Sequence, residues 1–192
     1  MKKLYFWMME KARHQYAVRW LALLSFLESS VFPIPTDIML MPMVLANRAK
    51  AWYYATVTTV SSVAGAVLGY IIGAFFFDTF GQSILSFYGY ETAFDQAKTY
   101  YADYGILIVL IGGLTPIPFK VITIASGVFS LNPIVFILSA IAARAPRFFI
   151  EAGLLWKFGE PINNFIEKRL TLVLSLFALL IVGGFIAIKY LG

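Results

Sequence analysis

Phe26-Leu27-Glu28-Ser29-Ser30-Val31-Phe32-Pro33-Ile34-Pro35-Thr36-Asp37 is an apolar stretch that carries two carboxylates and two prolines where an ordinary membrane helix would have neither. Pro33 and Pro35 each lack a backbone donor and push the preceding residue out of the α region, so the helix rising from Arg19 is expected to break here. Irregular backbone inside a bilayer is tolerated only where protein or trapped water satisfies its polar groups. The pattern returns as Thr115-Pro116-Ile117-Pro118-Phe119-Lys120, with Lys120 where the first copy carries Asp37. Pro33, Pro35, Pro116 and Pro118 are therefore read as helix breaks, and two broken segments imply one site built between them.

Working outward, the whole chain has the composition of a membrane protein. Its 192 residues are 60% hydrophobic and 13% charged, with a mean hydropathy of +0.81, more apolar surface than a water-soluble domain of this length could bury. One helical membrane domain is expected to use up this length, with no soluble catalytic domain beside it. Cysteine is absent, so neither disulfides nor thiolate chemistry operate, and the single histidine, His14, lies in a basic N-terminal stretch. No metal site, cofactor or catalytic residue is assigned. The net charge of +5 does not point to nucleic acid, because the positive residues flank apolar segments as membrane topology requires. Lys2 and Lys3 precede an apolar region, but Glu28 and Asp37 interrupt its core, which argues against a cleaved signal peptide.

Residues 1–18 mix aromatic and basic side chains, as in an amphipathic segment lying in the membrane interface. The runs before and after each Pro-Ile-Pro break are too short to cross a hydrocarbon core that takes about 20 residues, so residues 19–47 and 104–131 are expected to form re-entrant hairpins. Residues 51–77 and 133–158 read as full spans, the second opened by Asn132-Pro133, and residues 170–189 as a third, C-terminal span. Ser61, Gly65, Gly69 and Gly73 form a small-residue stripe along the first span, suited to close helix approach. Residues 78–103 read as a surface loop with an amphipathic helical piece. An N-terminus on the cytoplasmic side places most Lys and Arg residues inside. The two hairpins then enter from opposite faces, as an inverted repeat. The expected fold is thus an all-α integral membrane protein with two opposed re-entrant hairpins and three full transmembrane helices.

Six ionisable residues fall inside this profile: Glu28, Asp37, Lys120, Arg144, Arg147 and Glu151. Each would cost on the order of 3 kcal/mol if isolated at the bilayer centre, so they must face protein, water or each other. Arg144, Arg147 and Glu151 share one helix face, with Arg147 and Glu151 spaced for an i,i+4 pair and Pro146 expected to kink the helix. One reading is mutual neutralisation in buried ion pairs. The sharper reading takes Lys120, Arg144 and Arg147, with Glu151 beside them, as a substrate-binding set for a phosphate, which the arginine fork matches in geometry. Glu28 and Asp37 are then the titratable groups that couple protons to movement.

Phe26-Leu27-Glu28, Pro33-Ile34-Pro35-Thr36-Asp37, Gly65 to Gly73 with Gly69-Tyr70, and Ala125-Ser126-Gly127 together resemble the DedA family, also called the SNARE-associated Golgi or VTT-domain family, and within it the short YqaA-like branch. The resemblance covers roughly residues 19–160. It implies two opposed re-entrant hairpins and lipid translocation, members being implicated in moving polyprenyl phosphate carriers and phosphatidylethanolamine. By match of motif, Glu28 and Asp37 fall on the family's acidic positions, and Lys120 on the second arginine of an Arg-x-x-Pro-x-x-Arg motif. The first arginine is missing here, since Gly113, Leu114 and Thr115 precede Pro116. The expected protein is a flippase-like secondary transporter of a phosphate-bearing lipid in a bacterial cytoplasmic membrane, with protons as coupling ion and self-association compatible with it. The competing classes are a membrane assembly factor whose ion pairs only fix packing, and a lipid-modifying enzyme. The enzyme lacks an identifiable nucleophile and base.

Overall fold

The computed structural model describes residues 16–32, 35–81, 87, 91–115 and 118–159. The interfacial segment, the C-terminal span, Pro33 and Pro116 lie outside the described residues, apart from residues 16–18 at the end of the interfacial segment. The described elements are helical throughout: α1 (Ala17–Ser30), α2 (Asp37–Ala46), a short 3₁₀ turn (Arg48–Lys50), α3 (Ala51–Phe76) running into a π turn (Phe77–Gly81), α4 (Glu91–Leu114), α5 (Phe119–Val128) and α6 (Pro133–Phe158). α3 and α6 are each 26 residues, about 39 Å at ~1.5 Å per residue, long enough and apolar enough to cross a ~30 Å hydrocarbon core. Their outer faces carry Val60, Ile71 and Phe75 on α3 and Ile134 and Leu138 on α6, all exposed. Apolar faces of this extent suit lipid and not water.

Local chemistry explains the starts and stops. The Asn132 side chain accepts from the backbone N–H groups of Ile134 and Val135 (3.0 and 3.2 Å) and Pro133 takes the first helical position, where its missing donor costs nothing. α6 ends at Gly159 with φ +70°, a conformation that favours glycine. It continues unbroken through Pro146, and α2 likewise through Pro42. One expectation changes: the helix expected from Tyr104 begins at Glu91. Its polar first half follows no membrane profile, so hydropathy marks only the apolar second half.

α3 is the centre of the assembly and touches α1, α2, α5 and α6, while α4 packs on α5 and α6. Small residues permit this. A Cβ on Gly65 would overlap the Phe26 carbonyl of α1, one on Gly73 the Ile124 carbonyl of α5, and one on Gly127 the Tyr70 carbonyl of α3. The register between helices fixes their directions. Ser25 Oγ donates to the Thr58 carbonyl and Ser29 meets Ser62, so α1 and α3 run parallel. Gly105 approaches Leu131 and Gly113 approaches Ala143, so α4 runs alongside α6 in the same sense. Trp52 stacks on Phe149 and lies against Trp156, Arg144 bonds Ser62 and Tyr70 lies against Phe136, so α3 and α6 are antiparallel.

Two apolar clusters result. One gathers Leu21, Leu40, Met43, Val44, Tyr54, Phe148 and Leu155 from α1, α2, α3 and α6; the other gathers Ala66, Val109, Phe119, Phe136 and Ala140 with Leu131. Along both α3 and α6 the break between the clusters is polar, at Ser62 and at Arg144–Arg147.

Candidate functional site

The polar layer between the two apolar clusters is the candidate site. Arg144, on α6, is 1% exposed and fully enclosed. Its Nε donates to Ser62 Oγ on α3 at 2.7 Å, and its Nη2 lies 3.3 Å from Glu28 Oε2 on α1. The second contact is a charge contact outside good hydrogen-bond alignment, since Nη2 has no aligned acceptor. The guanidinium is also flanked by aromatic faces, Phe148 at 4.6 Å and Phe119 at 5.0 Å, which favour a cation where water is excluded. Ser62 and Arg144 are each the twelfth residue of a 26-residue helix, which places this layer near mid-height.

Glu28 closes the turn after α1. Its Oε2 accepts from the Thr36 hydroxyl and from the Thr36 backbone N–H (3.4 Å) in addition to facing Arg144. The chain therefore folds back onto its own carboxylate within eight residues, and Thr36 is fully buried by this. Asp37 follows as the first residue of α2, where a carboxylate is favoured by the helix dipole. Its Oδ2 accepts from Arg147 Nη2 at 3.1 Å, with side-chain exposures of 33% for Asp37 and 18% for Arg147. The i,i+4 pairing expected between Arg147 and Glu151 is replaced by this longer-range one. The Arg147 side-chain hydrogen bond goes to α2. Glu151 is 2% exposed and its Oε1 has no hydrogen-bond partner among the described residues.

Lys120 stands apart from these pairs. Its Nζ donates to the Val31 carbonyl at 3.3 Å, and Thr123 Oγ1 one turn later reaches the Ser29 carbonyl at 3.1 Å. α5 thus supplies partners for carbonyls at the open end of α1, and a lysine there complements the helix dipole. Pro35 and Pro118 sit in non-helical positions beside the two turns, before α2 and α5 respectively.

Of the residues singled out by charge, Glu28, Asp37, Arg144, Arg147 and Glu151 come together, and Lys120 reaches the same turn through backbone. Sequence reasoning missed the hydroxyls. Ser29, Ser62, Thr36 and Thr123 are all buried and bonded to the charged groups or to their turn. The stripe expected to begin at Ser61 begins at Ser62, because the α-helix turns by 3.6 residues and a strict four-residue repeat drifts off the face. The signal available was Ser62 lying three residues before Gly65.

These features define an all-helical membrane protein with a buried layer of ion pairs between two long antiparallel helices. Residues 34–157 match the VTT domain family, and the chain belongs to it. It is similar to an uncharacterized protein of Haemophilus influenzae, 34% identical over 165 residues that cover 86% of this chain and 85% of the relative. It is also similar to an uncharacterized protein of Histophilus somni, 35% identical over 163 residues covering 83% and 85%. No solved structure matches the chain.

Proposed function

We propose that the protein is a lipid translocase, a flippase-like secondary transporter that moves a phosphate-bearing lipid such as a polyprenyl phosphate or phospholipid across a bacterial cytoplasmic membrane. It acts as a transporter and not as an enzyme. The observation that carries this reading is that two guanidiniums, Arg144 and Arg147, are held near mid-height by carboxylates, Glu28 and Asp37, on a different part of the chain. A lipid phosphate offers the same bidentate acceptor as a carboxylate and can take its place on the arginine fork. Exchange of partners then separates α1 and α2 from α6. Glu28 and Asp37, freed in turn, are the groups through which protons couple to movement.

The helix directions support two re-entrant hairpins in an inverted arrangement. α1 and α3 are parallel with α2 between them, α4 and α6 are parallel with α5 between them, and α3 opposes α6. Contacts follow the same exchange: α1 lies on α3 as α4 lies on α6, and α5 crosses to α3 as α2 crosses to α6. Such a relation suits alternating access about a site at the repeat interface.

Liposome reconstitution with labelled lipid phosphates tests the reading. The parent protein should move a lipid phosphate between leaflets faster than protein-free liposomes, and a proton gradient should bias the direction. Arg147→Ala should lose phosphate-lipid binding at every pH, whereas Asp37→Asn should bind but lose gradient dependence. A second reading, a membrane assembly factor with structural ion pairs, is favoured by one observation, the Lys120 contact with the Val31 carbonyl, which makes that cation a cap. Full lipid-phosphate binding by Arg147→Ala would support it and reject the translocase.

A further inference from the structure

One end of the α3–α6 pair, away from the buried layer, carries charge of a single sign. Arg48 lies flat against Gly159, since a Cβ on that glycine would meet the Arg48 guanidinium, and Trp52 lies against Trp156 with ring centroids 6.1 Å apart. The turn Arg48–Lys50 and the start of α3 therefore run antiparallel to the last turn of α6, which brings Arg48, Lys50 and Lys157 to one end. Ala17 of α1 shares an apolar cluster with Ala51 and Leu155, so Arg19 joins them. All four cations are exposed, and no Asp or Glu falls within residues 16–27, 38–77 or 152–159. The opposite end is acidic. Phe77 at the end of α3 stacks on Phe94 near the start of α4 at 4.6 Å, which sets the exposed Asp78 and Asp95 there, with Lys98 beside them.

Arg48 is the fixed member of the basic end. Gly159, with φ +70° and no side chain, both ends α6 and leaves room for the guanidinium. A cation there complements the dipole of α6, but this uses none of its N–H groups. Among the described residues Arg48, Lys50 and Lys157 form no ion pair and no side-chain hydrogen bond. A planar guanidinium held in place with free donors, and ammonium groups two residues away on each strand, match the oxygens of a phosphate. Trp20, Trp52, Tyr53 and Trp156 neighbour these cations and are each about half exposed, as in an aromatic belt at headgroup depth.

We propose that this end is a docking surface for anionic phospholipid, whose headgroup phosphate is held by Arg48 with Lys50 and Lys157 while its acyl chains lie against Trp52 and Trp156. The aromatic belt decides for lipid over an acidic protein, because it sets the cations at the membrane surface, where anionic headgroups already lie. The surface is distinct from the buried layer. Trp52 and Ser62 are ten residues apart on α3, about 15 Å at ~1.5 Å per residue. A lipid bound there stays in its leaflet and bridges the α2–α3 turn to the end of α6, fastening the antiparallel pair at that end. It does so whether or not the buried layer moves lipid.

Titration of the full chain in neutral detergent with dioleoylphosphatidylglycerol tests this, read by thermal unfolding and by native mass spectrometry. Phosphatidylglycerol should raise the unfolding midpoint saturably and remain bound, whereas dioleoylphosphatidylcholine and inorganic phosphate should do neither. A variant combining Arg48→Gln, Lys50→Gln and Lys157→Gln should bind it more weakly by roughly fivefold per cation removed, the worth of a basic residue at an anionic membrane surface. Lys98→Gln, at the acidic end, and Arg147→Ala, in the buried layer, should leave the affinity unchanged. A measurement without cation variants uses Trp7→Phe with Trp20→Phe, in which brominated phosphatidylglycerol should quench the remaining tryptophans more than brominated phosphatidylcholine at equal mole fraction. Equal quenching by the two lipids, or an effect of inorganic phosphate as large as that of phosphatidylglycerol, would overturn the proposal. So would full phosphatidylglycerol binding by the triple variant, or its loss in Arg147→Ala, which would place the lipid in the buried layer.

Discussion

Arg144 Nε donates to Ser62 Oγ at 2.7 Å, and this one contact fastens the two long antiparallel helices at the middle of each. Arginine only donates, so Ser62 accepts from it, and the Ser62 hydroxyl also shares a hydrogen bond with Ser29 Oγ, 2.7 Å away on α1, in which either oxygen can donate. A charge on α6, a hydroxyl on α3 and a hydroxyl on α1 form a single chain.

Ser62→Ala removes the acceptor and leaves a guanidinium N–H buried and unpaired, which costs about 1–3 kcal/mol. Ser61→Ala, one residue away and only part buried, should change stability by less than about 0.5 kcal/mol. Thermal unfolding of both variants in the same lipid environment checks the difference. Equal midpoints would mean that the Ser62–Arg144 contact carries no stability.

Close backbone approach predicts a second asymmetry along α3. Gly65→Ala and Gly73→Ala place a Cβ against the carbonyls of Phe26 and Ile124, atoms that cannot rotate away. Each should destabilise by about 1–3 kcal/mol or more, the cost of overpacking a tight contact. Ala64→Val, on the exposed side of the same helix, should be tolerated. Yield of folded protein after detergent extraction and the midpoint of thermal unfolding report both. A Gly65→Ala protein as stable as the parent would exclude the close α1–α3 packing.

Much of this architecture was legible from residue type alone. The helix from Asp37 to Ala46 and the helix from Pro133 to Phe158 follow from apolar runs bounded by Pro-Thr, Asn-Arg, Asn-Pro and a glycine. The charged members of the site were legible because an ionisable residue in an apolar run must find company. Their pairing was not. Arg147 has Glu151 one turn away and bonds Asp37 instead, 110 residues earlier in the chain, a choice set by how α2 packs on α6. Lys120 looked like a member of the anion site by charge, yet its reach ends at a carbonyl of the α1 turn. Buried serines and threonines were illegible for a simpler reason: in an apolar helix a hydroxyl can always bond its own preceding turn, as Thr58 and Thr59 do.

Lys120→Met keeps the length of the side chain and removes its charge, so the Val31 carbonyl loses its donor. The capping role predicts a modest loss of stability, about 0.5–1.5 kcal/mol, since a lost helix-terminal contact is worth this much. Lys120→Arg should restore it. Lipid-phosphate binding by Lys120→Met separates the cap from a direct ligand. Unchanged stability with lost binding would return Lys120 to the phosphate set.

The Asp37–Arg147 pair allows a test that separates structure from transport. Asp37→Arg alone sets two guanidiniums against each other, and Arg147→Asp alone leaves four carboxylates, the introduced one included, with Arg144 as the near guanidinium. Each single change should destabilise by about 3 kcal/mol, the low end for a broken buried pair because Asp37 is a third exposed. The double exchange rebuilds the pair in reverse and should recover most of that loss. It also moves the guanidinium from α6 to the start of α2, away from the face it shares with Arg144. A phosphate that needs both arginines on one face will not bind, so the double variant should fold and remain inactive in liposomes. Unfolding midpoints and labelled-lipid binding, measured on the two single variants and the double, check this. Recovery of both stability and phosphate-lipid binding would show that any paired charge suffices at these positions, and the two-arginine site would have to be abandoned.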